Sequence, residues 1–246
     1  MRKFTSILAL SSFIIVLSGC DTIKEAASTI NNSGTSTTPA LTNSEVISGL
    51  KEALTVGIQN SVNLTSITDG FLKNDAIRLP FPPDALKVRE KAMDWGLGSQ
   101  VEKFETTLNR AAEEATKEAL PIFKDAILNM SISDGFSILN GGDGAATRFL
   151  KDNTTSRLVT AFSPKVKEAI SKVKLTEYWN PIITKYNNAM SLTGGAKINP
   201  DLNQYITERA IAGLFQMVEK EENKIRKDPA ARVTDLLSKV FGSIGK

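Results

Sequence analysis

The sequence predicts an all-α protein, a multi-helix single globular domain of roughly eight to ten helices. Three observations carry that expectation. Long segments repeat apolar residues every three or four positions, the period of a helix with one buried face. The one short strand candidate, residues 77–81, cannot make a sheet by itself. The breaks between periodic segments beyond residue 40 are short and carry cap or breaker residues.

Residues 45–58 place Val46, Leu50, Leu54 and Ile58 four apart on one face, with Asn43 or Ser44 as cap. Gly57 and the run N-S-V-N-L-T weaken the end of that helix. Pro80, Pro82 and Pro83 exclude regular bonding in the next segment, so residues 77–81 are expected to lie over the helical core. A helix over 84–95 offers Leu86, Val88 and Trp95 for packing before W-G-L-G ends it. Ser99 and Glu102 have capping-box spacing for a helix over 99–120. Its face is Val101, Phe104, Leu108, Ala111, Ala115 and Ala119, and the alanines call for a close neighbour. Pro121 either kinks this helix or opens a new one. Residues 131–135 form a further break before a short F-S-I-L turn.

Residues 140–147 read N-G-G-D-G-A-A-T. A glycine-rich stretch before a helix can cradle a phosphate, but no Gly-Lys-Ser/Thr follows and no reliable strand precedes it. The plainer reading is a tight turn at Gly141 and Gly142, with Asp143 capping a helix over 145–162. Ser163-Pro164 then starts another helix to about residue 173. A further helix over 176–190 brings Tyr178, Trp179, Ile182, Ile183 and Tyr186. The final pair follows T-G-G-A-K-I-N-P. Residues 201–223 carry Leu202, Tyr205, Ile206, Ile211, Leu214, Phe215 and Val218. Asp228-Pro229 opens a last helix with Val233, Leu236, Leu237, Val240 and Phe241.

The beginning of the chain has a different character. Arg2 and Lys3 precede a mostly apolar run over 4–17, and L-S-G-C follows at 17–20. A charged head, a short apolar stretch and a small-residue exit make a secretory signal. The run is short of the ~20 residues that a membrane-spanning helix needs. L-S-G-C resembles a bacterial lipobox, which implies cleavage after Gly19 and lipidation of Cys20. Residues 1–19 are then a lipoprotein signal peptide, residues 20–40 a lipidated, flexible tether, and residues 41–246 the helical domain. The tether includes 31–39, built only of Asn, Ser, Gly, Thr and Pro, which cannot bury enough apolar area to offset its ordering entropy. The expected location is the bacterial cell envelope, with the protein anchored through its N-terminal lipid and facing the periplasm or the exterior. Asp21 resembles the inner-membrane retention signal of enterobacterial lipoproteins, a rule that varies among bacteria, so inner and outer membrane both stay open.

Charge and composition narrow the function. Removing Arg2 and Lys3 from a formal +3 leaves about +1, which argues against a nucleic-acid surface. The chain has no histidine, so Ser-His-Asp and Cys-His chemistry and histidine metal sites are excluded. Cys20 is the only cysteine, so no disulfide forms within the chain, and once lipidated it is no thiolate nucleophile. Carboxylates remain: Glu113, Glu114 and Glu118 on one helix, and Glu219, Glu221 and Glu222 near Arg226 and Arg232. Their usual role is a solvated face or an ion pair. The sequence names no catalytic residue, no metal ligand set and no cofactor. Arg78, between apolar neighbours at the proline segment, and Asp143, Arg148, Glu208, Glu222 and Arg226 interrupt hydrophobic segments. They form either an interior polar network or a groove for a polar or anionic ligand, with Tyr186 and Trp179 as an aromatic wall.

Four segments occur in order: F-L-K-N-D-A-I-R-L-P-F-P, N-G-G-D-G-A-A-T-R-F-L, Y-I-T-E-R-A-I-A-G-L-F and I-R-K-D-P-A-A-R-V-T-D-L-L-S-K-V-F-G. Together they resemble the bacterial family of uncharacterised DUF4197 proteins, over residues 41–242. The resemblance implies a secreted or lipoprotein-like context and assigns no activity to any residue. Three readings follow. The first is a lipid-anchored binding module for an envelope protein or a small ligand. The second is a histidine-free, carboxylate-dependent enzyme acting on an envelope substrate. The third is a structural lipoprotein.

Overall fold

The computed structural model describes residues 42–243, apart from 173, 200 and 233. The expected signal peptide, Cys20 and the expected tether lie outside the described residues. Those described form nine α-helices and no strand. They are α1 (Asn43–Ser66), α2 (Leu86–Asp94), α3 (Gly98–Thr116), α4 (Ala119–Leu128), α5 (Ile132–Asn140), α6 (Ala145–Lys172), α7 (Leu175–Thr193), α8 (Asn203–Lys227) and α9 (Asp235–Ser243). Short 3₁₀ turns at Pro83–Ala85 and Pro229–Ala231 precede α2 and α9. Helix α8 packs against α6, α1 and α3; α3 also packs against α6 and α7, and α1 carries α4, α5 and α9. No described helix is long and apolar enough to cross a membrane.

Several boundaries differ from the sequence expectation, each for a local reason. The cap of α1 falls at Thr42, whose hydroxyl accepts from Glu45 N at 3.2 Å while the Glu45 carboxylate accepts from Thr42 N at 2.8 Å. Helix α1 then runs well past Ile58. Its buried Ser61 and Thr65 hydroxyls donate to the carbonyls of Gly57 and Ser61, at 2.7 and 2.8 Å, so polar residues enter the core satisfied. Ser99 and Glu102 form no capping box, because α3 already begins at Gly98. Pro121 sits in the first turn of α4, where its missing N–H costs no hydrogen bond. Residues 131–135 are a helix start, not a break: Ser131 and Asp134 form a capping box for α5.

Helix α6 runs unbroken through Pro164. An interior proline costs about 3 kcal/mol. Leu158 and Phe162 before it, and Val166 and Ala169 after it, are all buried, so packing on both sides offsets that cost.

Between α1 and α2 the chain forms a strap. Ile77, Leu79 and Phe81 are buried, while Arg78 and Pro80 between them are exposed. This is the two-residue alternation of extended backbone laid on a core. Gly213 on α8 allows its close approach: a Cβ there would lie 2.8 Å from the Phe71 ring and 3.2 Å from Ile77 Cβ. At the far end, Phe81, Phe104 and Trp179 form an aromatic cluster. Phe104 stacks on Trp179 at 4.6 Å between centroids, and Phe81 lies 4.9 Å from Phe104.

Candidate functional site

Helix α3 holds the strap with two polar side chains one turn apart. Asn109 pairs with Leu79 as a neighbouring strand would: its Oδ1 accepts from Leu79 N at 2.8 Å and its amide donates to Leu79 O at 3.1 Å. Glu113, buried, accepts from Phe71 N and Leu72 N at 3.1 and 3.3 Å and from Arg110 at 2.7 Å. Arg110 also donates to Asp69, whose left-handed backbone (φ 71°) turns the chain into the strap. Tyr205 on α8 donates its hydroxyl to Pro80 O at 2.7 Å. Burial raises the Tyr205 pKa, so it stays protonated as that donor.

Sequence reasoning misses Asn109 and names Glu113 only among the carboxylates of one helix, for a solvated face or an ion pair. The available signal is their place beside Leu108, Ala112 and Thr116, which are buried with them. A carboxylate there needs strong donors, and two strap amides and a guanidinium supply them.

Two open clefts border the strap. One, of about 420 Å³, is lined by Arg78, Pro80, Phe81, Leu86, Arg89 and Glu105 among others. Arg89 donates to Glu105 at 2.8 Å, and Arg78 reaches the same carboxylate at 3.6 Å. The two arginine side chains are still nearly half exposed, so they stay open to solvent at the cleft. Leu86 is also half exposed here rather than packed. The second cleft, of about 450 Å³, is lined by Pro82, Pro83, Asp84, Trp179, Lys197, Tyr205 and Glu208 among others.

The other sequence-predicted residues converge elsewhere, at the turn between α5 and α6. Glu222 on α8 accepts from Ala146 N and Thr147 N at 2.9 Å, and from the Thr147 hydroxyl at 2.8 Å. A remote carboxylate thus caps α6, at the end where the helix dipole favours negative charge. Arg226, one turn on, pairs with Glu222 at 2.9 Å and donates to Ile138 O at 2.8 Å, at the C-terminal end of α5. The ion pair therefore sits with each charge against the helix end of opposite sign. Arg148 wraps the glycine turn, donating to Asp143 O at 3.0 Å and Gly141 O at 3.1 Å, and Asp143 pairs with Lys227 instead of capping α6. Gly142 and Gly144 both take positive φ, 70° and 69°. The gap beside Glu222 and Arg226 holds about 20 Å³, room for one water.

Arg78, Asp143, Arg148, Tyr186, Glu208, Glu222 and Arg226 are thus not one constellation. Asp143, Arg148, Glu222 and Arg226 come together at the α5–α6 turn. Arg78 and Glu208 line the two strap clefts separately. Tyr186 is packed in the core. Among the described residues no group of three or more His, Cys, Asp or Glu is placed to hold a metal ion.

Several carboxylates titrate below their usual range. Asp69 is lowered by its bonds to Lys73 and Arg110, and Glu114 by Lys117 and Lys172. Asp134 is lowered by the Ser131 hydroxyl and amide, and Glu45 by the Thr42 amide and hydroxyl. A carboxylate with a depressed folded pKa contributes stability above its unfolded pKa and loses it as pH falls through the folded value. Stability is therefore flat near neutrality and falls below the ordinary carboxylate range. Urea midpoints measured from about pH 6 to about pH 2.5 test this, and a midpoint that rises on acidification contradicts it.

Neither a curated protein nor a solved structure matches this chain. Residues 40–242 match the family described as "Protein of unknown function (DUF4197)". That match covers the strap, both clefts and the α5–α6 turn, and the chain belongs to the DUF4197 family.

Proposed function

We propose that this protein is a lipid-anchored binding module of the bacterial cell envelope, tethered through Cys20 and engaging an envelope protein or small ligand at the strap. The observation that supports binding is the pair of clefts, about 420 and 450 Å³, with half-exposed Arg78 and Arg89 presenting guanidinium donors. Volumes of this order suit a small polar ligand or one peptide segment. Of the two carboxylates lining the first cleft, Asp75 and Glu105, both arginines reach Glu105, which favours recognition by that group over acid–base chemistry.

The anchor rests on L-S-G-C at 17–20. Acyl chains contribute about 0.8 kcal/mol per buried CH₂, and stable attachment needs more than one chain. A diacylglyceryl thioether plus an N-acyl group on Cys20 meets that requirement. The spacer up to residue 40 then keeps the domain at high effective concentration near the membrane.

Intact mass of protein from native membranes is expected to begin at an acylated Cys20. Cys20→Ser moves the protein to the soluble fraction without the acyl mass. A wild-type chain that is unacylated, or a Cys20→Ser chain that keeps its membrane fraction, removes the anchor. For the clefts, a photo-crosslinker at Leu86 captures a defined envelope component, and Arg78→Ala, in the same cleft, abolishes the capture. Capture unchanged by Arg78→Ala removes the strap as the binding surface.

A further inference from the structure

The buried carboxylates of this domain share a rule, and one departs from it. Glu113 is paired with Arg110 and Glu222 with Arg226. Glu221 is buried to a similar degree, 8 % exposed, yet no lysine or arginine forms an ion pair with it among the described residues. Its one hydrogen bond comes from a neutral group, Asn60 Nδ2, at 3.2 Å to Oε2. The other carboxylate oxygen has no protein donor among the described residues. No buried side-chain oxygen of the described residues lacks a partner, so this oxygen meets solvent at the cleft, with no cation beside it.

Glu221 lines a cleft of about 320 Å³, between α1, the end of α8 and the Pro229–Ala231 turn. The walls are apolar at Val56, Ile225, Ala230 and Ala231. The polar groups besides Glu221 and Asn60 are Lys224 and Asp228. Asp228 spends one oxygen on Ala230 N at 2.9 Å, and Lys224 is exposed. The cleft therefore carries two carboxylates against one ammonium.

We propose that this cleft binds a primary ammonium group carried on a short methylene stem. The ammonium donates to Glu221, with Asn60 orienting the carboxylate, and the stem lies against Val56, Ile225 and Ala231. Either a free alkylamine or a lysine side chain presents that chemistry. The site is separate from the strap clefts and does not depend on them.

The test titrates the full mature chain in mild detergent with n-butylammonium, followed by the side-chain amide NMR signal of Asn60. n-Butyramide serves as the neutral isostere, and Nα-acetyl-lysine amide distinguishes the two sources. Saturable shifts with butylammonium or the lysine amide, and none with butyramide, are expected. Glu221→Gln weakens that binding about tenfold or more, as loss of a charge-assisted bond requires. Lys224→Met leaves it unchanged or tighter, because it removes a like charge from the cleft lining and breaks no ion pair with Glu221. Wild-type titration stands even if Glu221→Gln folds poorly. No saturable shift, equal shifts with butyramide, or weaker binding in Lys224→Met overturns the proposal.

Discussion

Replacing Glu222 with alanine lowers the unfolding free energy by about 3–5 kcal/mol, the range for breaking a buried ion pair from one side. The loss has two parts. Arg226, with 10 % of its side chain exposed, is left without its carboxylate. Ala146 N, Thr147 N and the Thr147 hydroxyl lose their acceptor at the start of α6. Glu222→Gln is milder, by about 1–3 kcal/mol, because the amide oxygen still accepts but the amide nitrogen faces a guanidinium. Chemical denaturation checks both values. The pair with Arg226→Ala completes a cycle: if the two act as a unit, the double variant falls well short of the summed single losses. A Glu222→Ala loss below about 1 kcal/mol sinks the claim that this carboxylate ties α8 to α6.

Trp179→Ala is expected to cost about 3–5 kcal/mol, as truncation of a fully buried aromatic does. Trp179 is 1 % exposed and stacks on Phe104 at 4.6 Å, with Phe81 at 5.8 Å. For a domain of this size the melting temperature falls by roughly 10 °C. The effect is not only global. Phe81 ends the buried alternation of the strap, and Trp179 walls the second cleft, so ligand capture there weakens as well. A thermal melt and the yield of a photo-crosslinker at Asp84, in the same cleft, measure the two consequences. A melting temperature within a few degrees of wild type contradicts the role of this cluster.

Much of this fold is legible in the sequence, for a specific reason. Helix faces are local patterns, so Val101, Phe104 and Leu108 on α3, or Ile206, Leu214 and Val218 on α8, announce themselves as buried and are. Pro80, Pro82 and Pro83 likewise mark the strap before any tertiary contact is known. What is not legible depends on partners far along the chain. Glu222 caps a helix that starts more than seventy residues earlier, and no local signal gives that pairing. Asp143 holds the position of a cap by sequence, yet a stronger acceptor arrives from α8. Pro164 shows the same limit: a local rule ends the helix, and packing on both sides continues it. The candidate site divides for this reason too. Arg78, Glu208 and Glu222 each interrupt an apolar segment, but only the fold decides that they face three different places.

The strap also separates two kinds of physical constraint. Its odd positions, Ile77, Leu79 and Phe81, are committed to the core, while Arg78 and Pro80 between them face the cleft. Its backbone is held by Asn109 and Glu113, which bind main-chain amides and are indifferent to what those outward side chains are. The cleft can therefore change its chemistry at position 78 with little penalty to folding. A single scaffold of this kind can vary its outer face while the helices beneath it stay as they are.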